Sequence, residues 1–180
     1  MLRGETKGRR LWRHDWHVPG LVRAHFSISS ESCNDKETYM TETNEVNERN
    51  QKTIDEFRAN AGKVGGRFEG KTLLLLHTMG ARSGKERINP VAYVRDGVRY
   101  VVIASKGGAP TNPDWYYNIL AHPRLTVEVG TETLPVQAKV AEEPERSRLY
   151  NKMVEMMPGF DDYRRRTTRV IPVIELTPVK

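Results

Sequence analysis

From residue 53 onward the chain alternates between short apolar runs and polar, glycine-bearing breaks. Thr53 followed three residues later by Glu56 has the form of a capping box, and Ile54, Phe57, Ala61 and Val64 recur at helical spacing before Gly65 and Gly66. This spacing predicts a short amphipathic helix over Thr53 to Val64. KTLLLLHT, Lys71 to Thr78, is a continuous apolar run of strand length, and GARSG after it is a break. Two β-rich runs, Val91 to Arg95 and Val98 to Ser105, flank Asp96-Gly97, a dipeptide that supplies positive φ to a tight turn. They are expected to pair as antiparallel neighbours.

Pro113 can open a helix that carries Trp115 and Leu120 and stops near His122-Pro123. Leu125 to Val129 and Leu134 to Val140 alternate around Gly130 as a second hairpin. Glu142 to Met157 reads as a helix with an acidic first turn, and Val170 to Leu176 as a closing strand. About six strands with three helices fit a mainly β, α+β architecture: a small antiparallel barrel dressed by helices. No internal repeat is visible.

Length and composition narrow this further. At 180 residues, the chain suits one domain with a sizeable core. Hydrophobic residues make up 37% and charged residues 29%, and no apolar run approaches the roughly 20 residues that span a bilayer. Cys33 is the single cysteine; it can form no intramolecular disulfide and cannot build a metal site alone. The expected compartment is the cytoplasm.

The net charge of +6 is spread along the chain: residues 1 to 39 hold seven Lys/Arg against five Asp/Glu, leaving 22 against 18 for the rest. Nucleic-acid binding calls for a clustered basic face. The densest cluster, Arg164, Arg165, Arg166 and Arg169, reads as a solvated surface, so no nucleic-acid partner is expected. Residues 1 to 52 lack a sustained period, and residues 1 to 39 are expected to carry little packed structure. The basic beginning is not followed by the apolar stretch of a signal peptide. Met40 is the expected true start, with a basic, Trp-bearing arm at a membrane surface as the alternative. The packed domain is expected over 53–180.

Two breaks carry candidate chemistry. GARSGKERINP places Arg82, Ser83, Gly84, Lys85 and Arg87 between two strands, with three cations in six residues. Glycine-freed amides and guanidinium forks converge on anions in such loops, although a charged turn has the same composition. It is no Walker A loop, and GxGxxG is absent. SKGG adds Lys106, Gly107 and Gly108 at the end of the strand paired to the one the first loop feeds, so both loops are expected to open on one end of the barrel.

The string LLLLHTMGARSGKERINPVAYVRDGVRYVVIASKGGAPTNPDWYYNILAHPRLTVEV resembles the deazaflavin-dependent nitroreductase family, the split β-barrel proteins that use coenzyme F420, which include F420H2-dependent quinone reductases. The ordered signature is HTxGxxSGxxRxNP followed by ASKGG and PxWYxN, and the likeness runs from about Phe57 to the end. The resemblance implies a split barrel of the kind that also binds flavin mononucleotide. It implies that Ala81, Arg82, Ser83 and Arg87 hold the phosphate and acidic tail of the cofactor. Ile88, Asn89, Pro90, Val91 and Ala92 match the strand that lines it. Ile103, Ala104, Ser105 and Lys106 match the segment beside the deazaflavin ring, and Asp114, Trp115, Tyr116, Tyr117 and Asn118 the helix start that closes the pocket. On spacing alone, Trp115, Tyr116 and Tyr117 fit a core as well as a cofactor wall, and His77 fits a hydrogen-bonded core residue better than a base.

The activity implied is hydride transfer from reduced F420 to an electron-poor acceptor such as a quinone, with Ser105 and Tyr163 as hydroxyls near the substrate. Met157, Phe160 and Tyr163 match the acceptor pocket. Relatives that reduce nitroimidazoles tend to carry tyrosines where this chain has Ala92, Met157 and Phe160, so a more apolar pocket, suited to quinones and poor at bicyclic nitroimidazoles, is expected. A quinone acceptor would also suit a peripheral seat at the inner face of the cell membrane. Two other classes fit the same loops: a flavin mononucleotide enzyme, which would purify yellow, and a carrier that binds the deazaflavin without turning it over.

Overall fold

The structure, a computed structural model, describes the backbone of residues 31–179 and the side chains of residues 44–179. The expectations for residues 1–30 lie outside the described residues. The chain divides into two units, Met1–Tyr39 and Met40–Lys180, and the second contains the barrel. Its six strands close in the order β1-β2-β3-β6-β5-β4, with every pair antiparallel. This is the α+β barrel that the pattern predicts.

The unbroken apolar run of β1 (Leu73–Met79) follows from burial on both faces. Leu74 and Leu76 point into the barrel with Tyr100, Val102, Val127 and Ile174. Leu73 and Leu75 pack outward against Ile54 and Phe57 of α1 (Glu31–Ala59). Each fully buried leucine contributes about 1.5–3 kcal/mol, so this strand anchors two cores at once. β3 (Arg99–Ile103) does the same on another flank: Tyr100 and Val102 face inward, while Val101 and Ile103 lie under Leu149, Tyr150 and Met153 of α3 (Glu145–Met156).

The first helix departs from expectation. α1 does not begin at Thr53 but runs from Glu31 to Ala59, straight through the boundary expected at residue 52. Thr53 is no cap; its hydroxyl donates to the Arg49 carbonyl one turn back, at 3.0 Å. Asn44 to Lys52 are exposed apart from the half-buried Asn50, so the polar turns carry no apolar stripe from which a helix could be read. They are rich in Glu, Gln, Lys and Arg, which favour helix without needing a core. The helix ends before Val64, because Ala61 enters the left-handed region at φ 51.

The hairpin turn is shifted by one residue. Asp96 pairs with Arg99, so the two turn residues are Gly97, at φ 60, and Val98. Asp96 remains a strand end, and its carboxylate is claimed by Arg99, Arg148 and Lys152. The second hairpin, β4 (Arg124–Val129) and β5 (Glu132–Val140), and the closing strand β6 (Val173–Pro178) fall close to expectation. α2 (Asp114–Ala121) follows Pro113 as expected. A fourth helix, α4 (Gly159–Arg165), was not legible in the pattern, since it buries no residue fully.

β2 (Glu86–Asp96) positions the rest. It starts five residues before the expected Val91, so Arg87, Ile88, Asn89 and Pro90 belong to a strand and not to a loop. Glu86 through Ala92 pair with β1, and Tyr93 through Asp96 pair with β3. The strand changes partner at Ala92/Tyr93. Among the described residues its first half therefore keeps one edge that no strand covers, and Pro90 is tolerated there because an edge strand does not need every amide.

Candidate functional site

Successive antiparallel pairing puts the end of β1, the start of β2 and the end of β3 at the same end of the barrel. The 80–85 loop and the 104–113 loop therefore open together, as the sequence predicts, and between them lies the uncovered half of β2. Among the described residues, Arg82, Lys85, Arg87 and Lys106 form no ion pair, and all four are exposed. A barrel end with free cations and an open strand edge offers both charge and backbone hydrogen bonds to an elongated anion.

Buried polar groups hold each loop. Asn118 of α2, only 8% exposed, donates to the Thr78 hydroxyl at 3.1 Å. Its side-chain carbonyl accepts the Ala81 amide at 3.0 Å. Asn118 thus fastens the 80–85 loop to α2, where the sequence suggested a residue closing the pocket. Within that loop Ser83 Oγ accepts the Lys85 amide at 3.3 Å.

The other loop is conformationally demanding. After Ser105, in right-handed helical geometry, Lys106, Gly107 and Gly108 take φ values of 48, 66 and 85. A lysine in this region costs roughly 1–2 kcal/mol. Gly108 is irreplaceable for a second reason: a Cβ there would lie 2.9 Å from Arg166 Cβ and 3.0 Å from the Tyr163 carbonyl oxygen. Among the described residues the amides of Lys106 and Gly107 donate to no backbone carbonyl. A right-handed residue followed by a left-handed one turns such amides toward a common point, which suits an anionic or carbonyl oxygen. Lys106 Nζ reaches Thr111 Oγ1 at 3.1 Å.

Close packing of Gly108 on Tyr163 brings α4 to the same loop. Tyr163 is half-buried and stacks edge-on with Phe160, ring centroids 5.2 Å apart. Ser105 is only 8% exposed, and among the described residues no fully buried side-chain polar atom is left without a partner, so its hydroxyl is either bonded or reached by solvent. Met157 is 7% exposed and belongs to the core beneath α3 and α4. It is a support of the expected acceptor pocket, not an open wall of it. Trp115 likewise plugs the barrel interior with Ile119, Tyr116 is half-buried beside it, and Tyr117 and Asp114 are exposed. Ala104 and Val91 pack on the barrel interior, Ile103 on the outer core, Ile88 and Ala92 on the α1 side. Asn89 and Pro90 are half-buried.

His77 bridges Glu86 at 2.9 Å and Glu128 at 2.7 Å, a bonded structural position as expected. Arg58 beside Glu128, helped by His77, holds that carboxyl below the usual carboxylate range against the effect of burial. Two surface cavities, about 790 and 420 Å³, are lined by residues of the α1 and 60–73 region, among them Glu56, Val64 and Gly65. Neither contains Arg82, Arg87, Lys106 or Trp115.

Arg169 is the residue that sequence reading missed. The sequence places it in a solvated arginine cluster, and Arg164, Arg165 and Arg166 are indeed exposed. Arg169 instead is half-buried, and burial draws it below the ordinary guanidinium range. Its four bonds go to the Ala104, Ser105 and Ala109 carbonyls and to Asn112. Only its place just before the buried Ile171 could have hinted at this.

Comparison with known proteins gives this geometry a family. The sequence model described as F420H(2)-dependent quinone reductase matches residues 49–178. The chain belongs to that family. An F420H(2)-dependent quinone reductase of Mycobacterium tuberculosis (strain ATCC 25618 / H37Rv) is 38% identical over 125 residues, 67% of this chain and 84% of that protein. Among solved structures, an F420-H2 dependent reductase is 38% identical with a TM-score of 0.54, covering 58% of this chain and 92% of its own. Another, a domain-swapped dimer, is 35% identical with a TM-score of 0.56, covering 74% and 98%. For a member of the F420H(2)-dependent quinone reductase family, the open β2 edge and the two loops are the region whose chemistry fits an acidic cofactor.

Proposed function

We propose that the barrel end built by the 80–85 loop, the first half of β2 and the 104–113 loop binds reduced F420, and that the protein reduces a quinone-type acceptor there. The observation that carries this reading is the edge of β2 from Glu86 to Ala92 that, among the described residues, no strand covers, bordered by exposed cations that pair with no described carboxylate. When bound, the deazaflavin supplies the hydride, and the protein supplies binding, orientation and electrostatics.

Arg82 and Arg87, with the Ser83 hydroxyl, hold the acidic groups of the cofactor. Lys106 and the free amides of Lys106 and Gly107 offset negative charge beside Ser105. The Ser105 and Tyr163 hydroxyls deliver a proton to the acceptor, and Phe160 gives it an apolar flank. Phe160, half-buried and without a hydroxyl, favours a quinone over a nitroimidazole, with the buried Met157 supporting it from beneath. Among the described residues no helix is long and apolar enough to cross a membrane; a cytoplasmic enzyme that meets its quinone at the membrane surface fits this reading.

Titration of the purified protein with F420, followed by mixing the reduced cofactor with a menaquinone analogue, tests the assignment. Saturable binding and return of the oxidised-deazaflavin absorbance are expected. Absence of binding, or reduced cofactor that stays reduced with every quinone offered, would overturn it.

A further inference from the structure

The 104–113 loop combines two left-handed glycines, which adopt that region freely, with a left-handed lysine, which does not. The loop's amides hold only its start: Ala104 donates to the Pro172 carbonyl at 3.0 Å and Ser105 to the Ile103 carbonyl at 2.8 Å, whereas farther on Gly108 donates to Ser105 at 2.9 Å and Ala109 to Lys106 at 3.2 Å. The last two bonds lie inside the loop and tie neither end to the barrel.

Arg169 does. One Nη2 donates to the Ala104 carbonyl at 3.0 Å and to the Ser105 carbonyl at 2.9 Å, at the loop's start. Nε donates to the Ala109 carbonyl at 2.9 Å, and Nη1 to Asn112 Oδ1 at 2.5 Å, at its far side. Four of the five guanidinium N–H groups are used on four different residues. Among the described residues no carboxylate pairs with Arg169. A surface arginine seeking an ion pair would leave most of these donors to water; here the planar fork is spent on three backbone carbonyls and one side-chain carbonyl, which a lysine ammonium cannot match in geometry.

We propose that Arg169 is a positioning residue: a latch that clamps both ends of the Ala104–Asn112 loop and so presents Ser105, Lys106 and the free loop amides to the cofactor. This rests on the assignment of that loop to F420. The latch acts by geometry and not by charge. Because Arg169 holds the Ser105 carbonyl, the Lys106 amide of the same trans peptide points away from the guanidinium.

The test compares Arg169→Met, Arg169→Lys and Asn112→Ala with the wild type in two measurements. Hydrogen exchange at the Ala104, Gly108 and Ala109 amides is followed in the cofactor-free protein, and F420 binding is followed by titration. Arg169→Met is expected to speed exchange at these amides at least tenfold and to weaken F420 binding at least fivefold. Arg169→Lys is expected to be nearly as impaired, and Asn112→Ala to lie between. Free guanidinium added to Arg169→Met should restore part of the binding, and steady-state loss should fall on KM for reduced F420 more than on kcat. If Arg169→Met does not fold, Arg169→Lys and Asn112→Ala decide the matter. Wild-type exchange at the three amides in Arg169→Lys, or in Arg169→Met, overturns the latch. A wild-type protein that fails to bind F420 overturns the cofactor assignment instead, and the exchange arm still decides whether Arg169 holds the loop.

Discussion

The Ala81 amide and the Asn118 side-chain carbonyl meet at 3.0 Å, although one lies in a loop between strands and the other on α2. Because Asn118 also donates to the buried Thr78 hydroxyl, one side chain fixes the anion loop to both β1 and α2. Asn118→Ala is expected to cost about 1–3 kcal/mol, the penalty for stranding buried partners, and to weaken F420 binding. Thermal melting and cofactor titration check the pair of effects; a variant with wild-type affinity would detach this clamp from the site.

Arg82 and Arg87 are exposed and make no ion pair among the described residues, so their removal should leave stability within about 0.5 kcal/mol. Arg82→Ala and Arg87→Ala are expected to weaken F420 binding at low ionic strength and to flatten its dependence on salt, because each removes a charge that salt would screen. Titrations at two salt concentrations decide this.

The backbone of Tyr163 packs on Gly108 of the loop that carries Ser105, and its ring packs on Phe160. Positioned general acids contribute about 10²–10⁴-fold, and Tyr163→Phe, which keeps the ring and its stacking on Phe160, should lower kcat by at least tenfold with F420 affinity retained. Unchanged turnover would remove the hydroxyl from the mechanism.

Gly107 and Gly108 offer an internal contrast. A Cβ at Gly107 meets nothing within 4 Å, whereas one at Gly108 collides with Arg166 and with the Tyr163 backbone. Gly107→Ala should cost only the left-handed backbone penalty, about 1 kcal/mol. Gly108→Ala should cost more and displace α4, with acceptor turnover falling further than for Gly107→Ala in parallel melts and assays.

Asp96 anchors the far end of the barrel. Arg148 and Lys152, with Arg99 behind them, hold its carboxyl well below the usual carboxylate range despite partial burial. A depressed folded-state value means that its stabilisation is present above the unfolded carboxylate value of about 3.9 and is lost as pH falls below that toward the folded value. Asp96→Asn should therefore destabilise the protein by roughly 2 kcal/mol at neutral pH. The gap between variant and wild type in denaturant melts should narrow progressively below about pH 4.

The pattern of apolar positions by itself determined the six strands to within a few residues, the two hairpins and the barrel, because strand period and turn residues are local properties, and the spacing of cations and glycines marked the two loops as candidates for an anion. Four leucines in a row read as a run of strand length, and the packing of the barrel interior on one face and α1 on the other decided that it is buried on two sides. The polar turns of α1 were not legible, since a solvated helix needs no stripe, nor was α4, which fully buries nothing. Only the tertiary structure decided that β2 trades partners at Ala92, that Asn118 reaches Ala81, and that Arg169 leaves its exposed neighbours to hold the Ser105 loop. Each of these depends on hydrogen bonds between groups distant in the chain, and a guanidinium's choice between water and carbonyls is made by the packing that surrounds it.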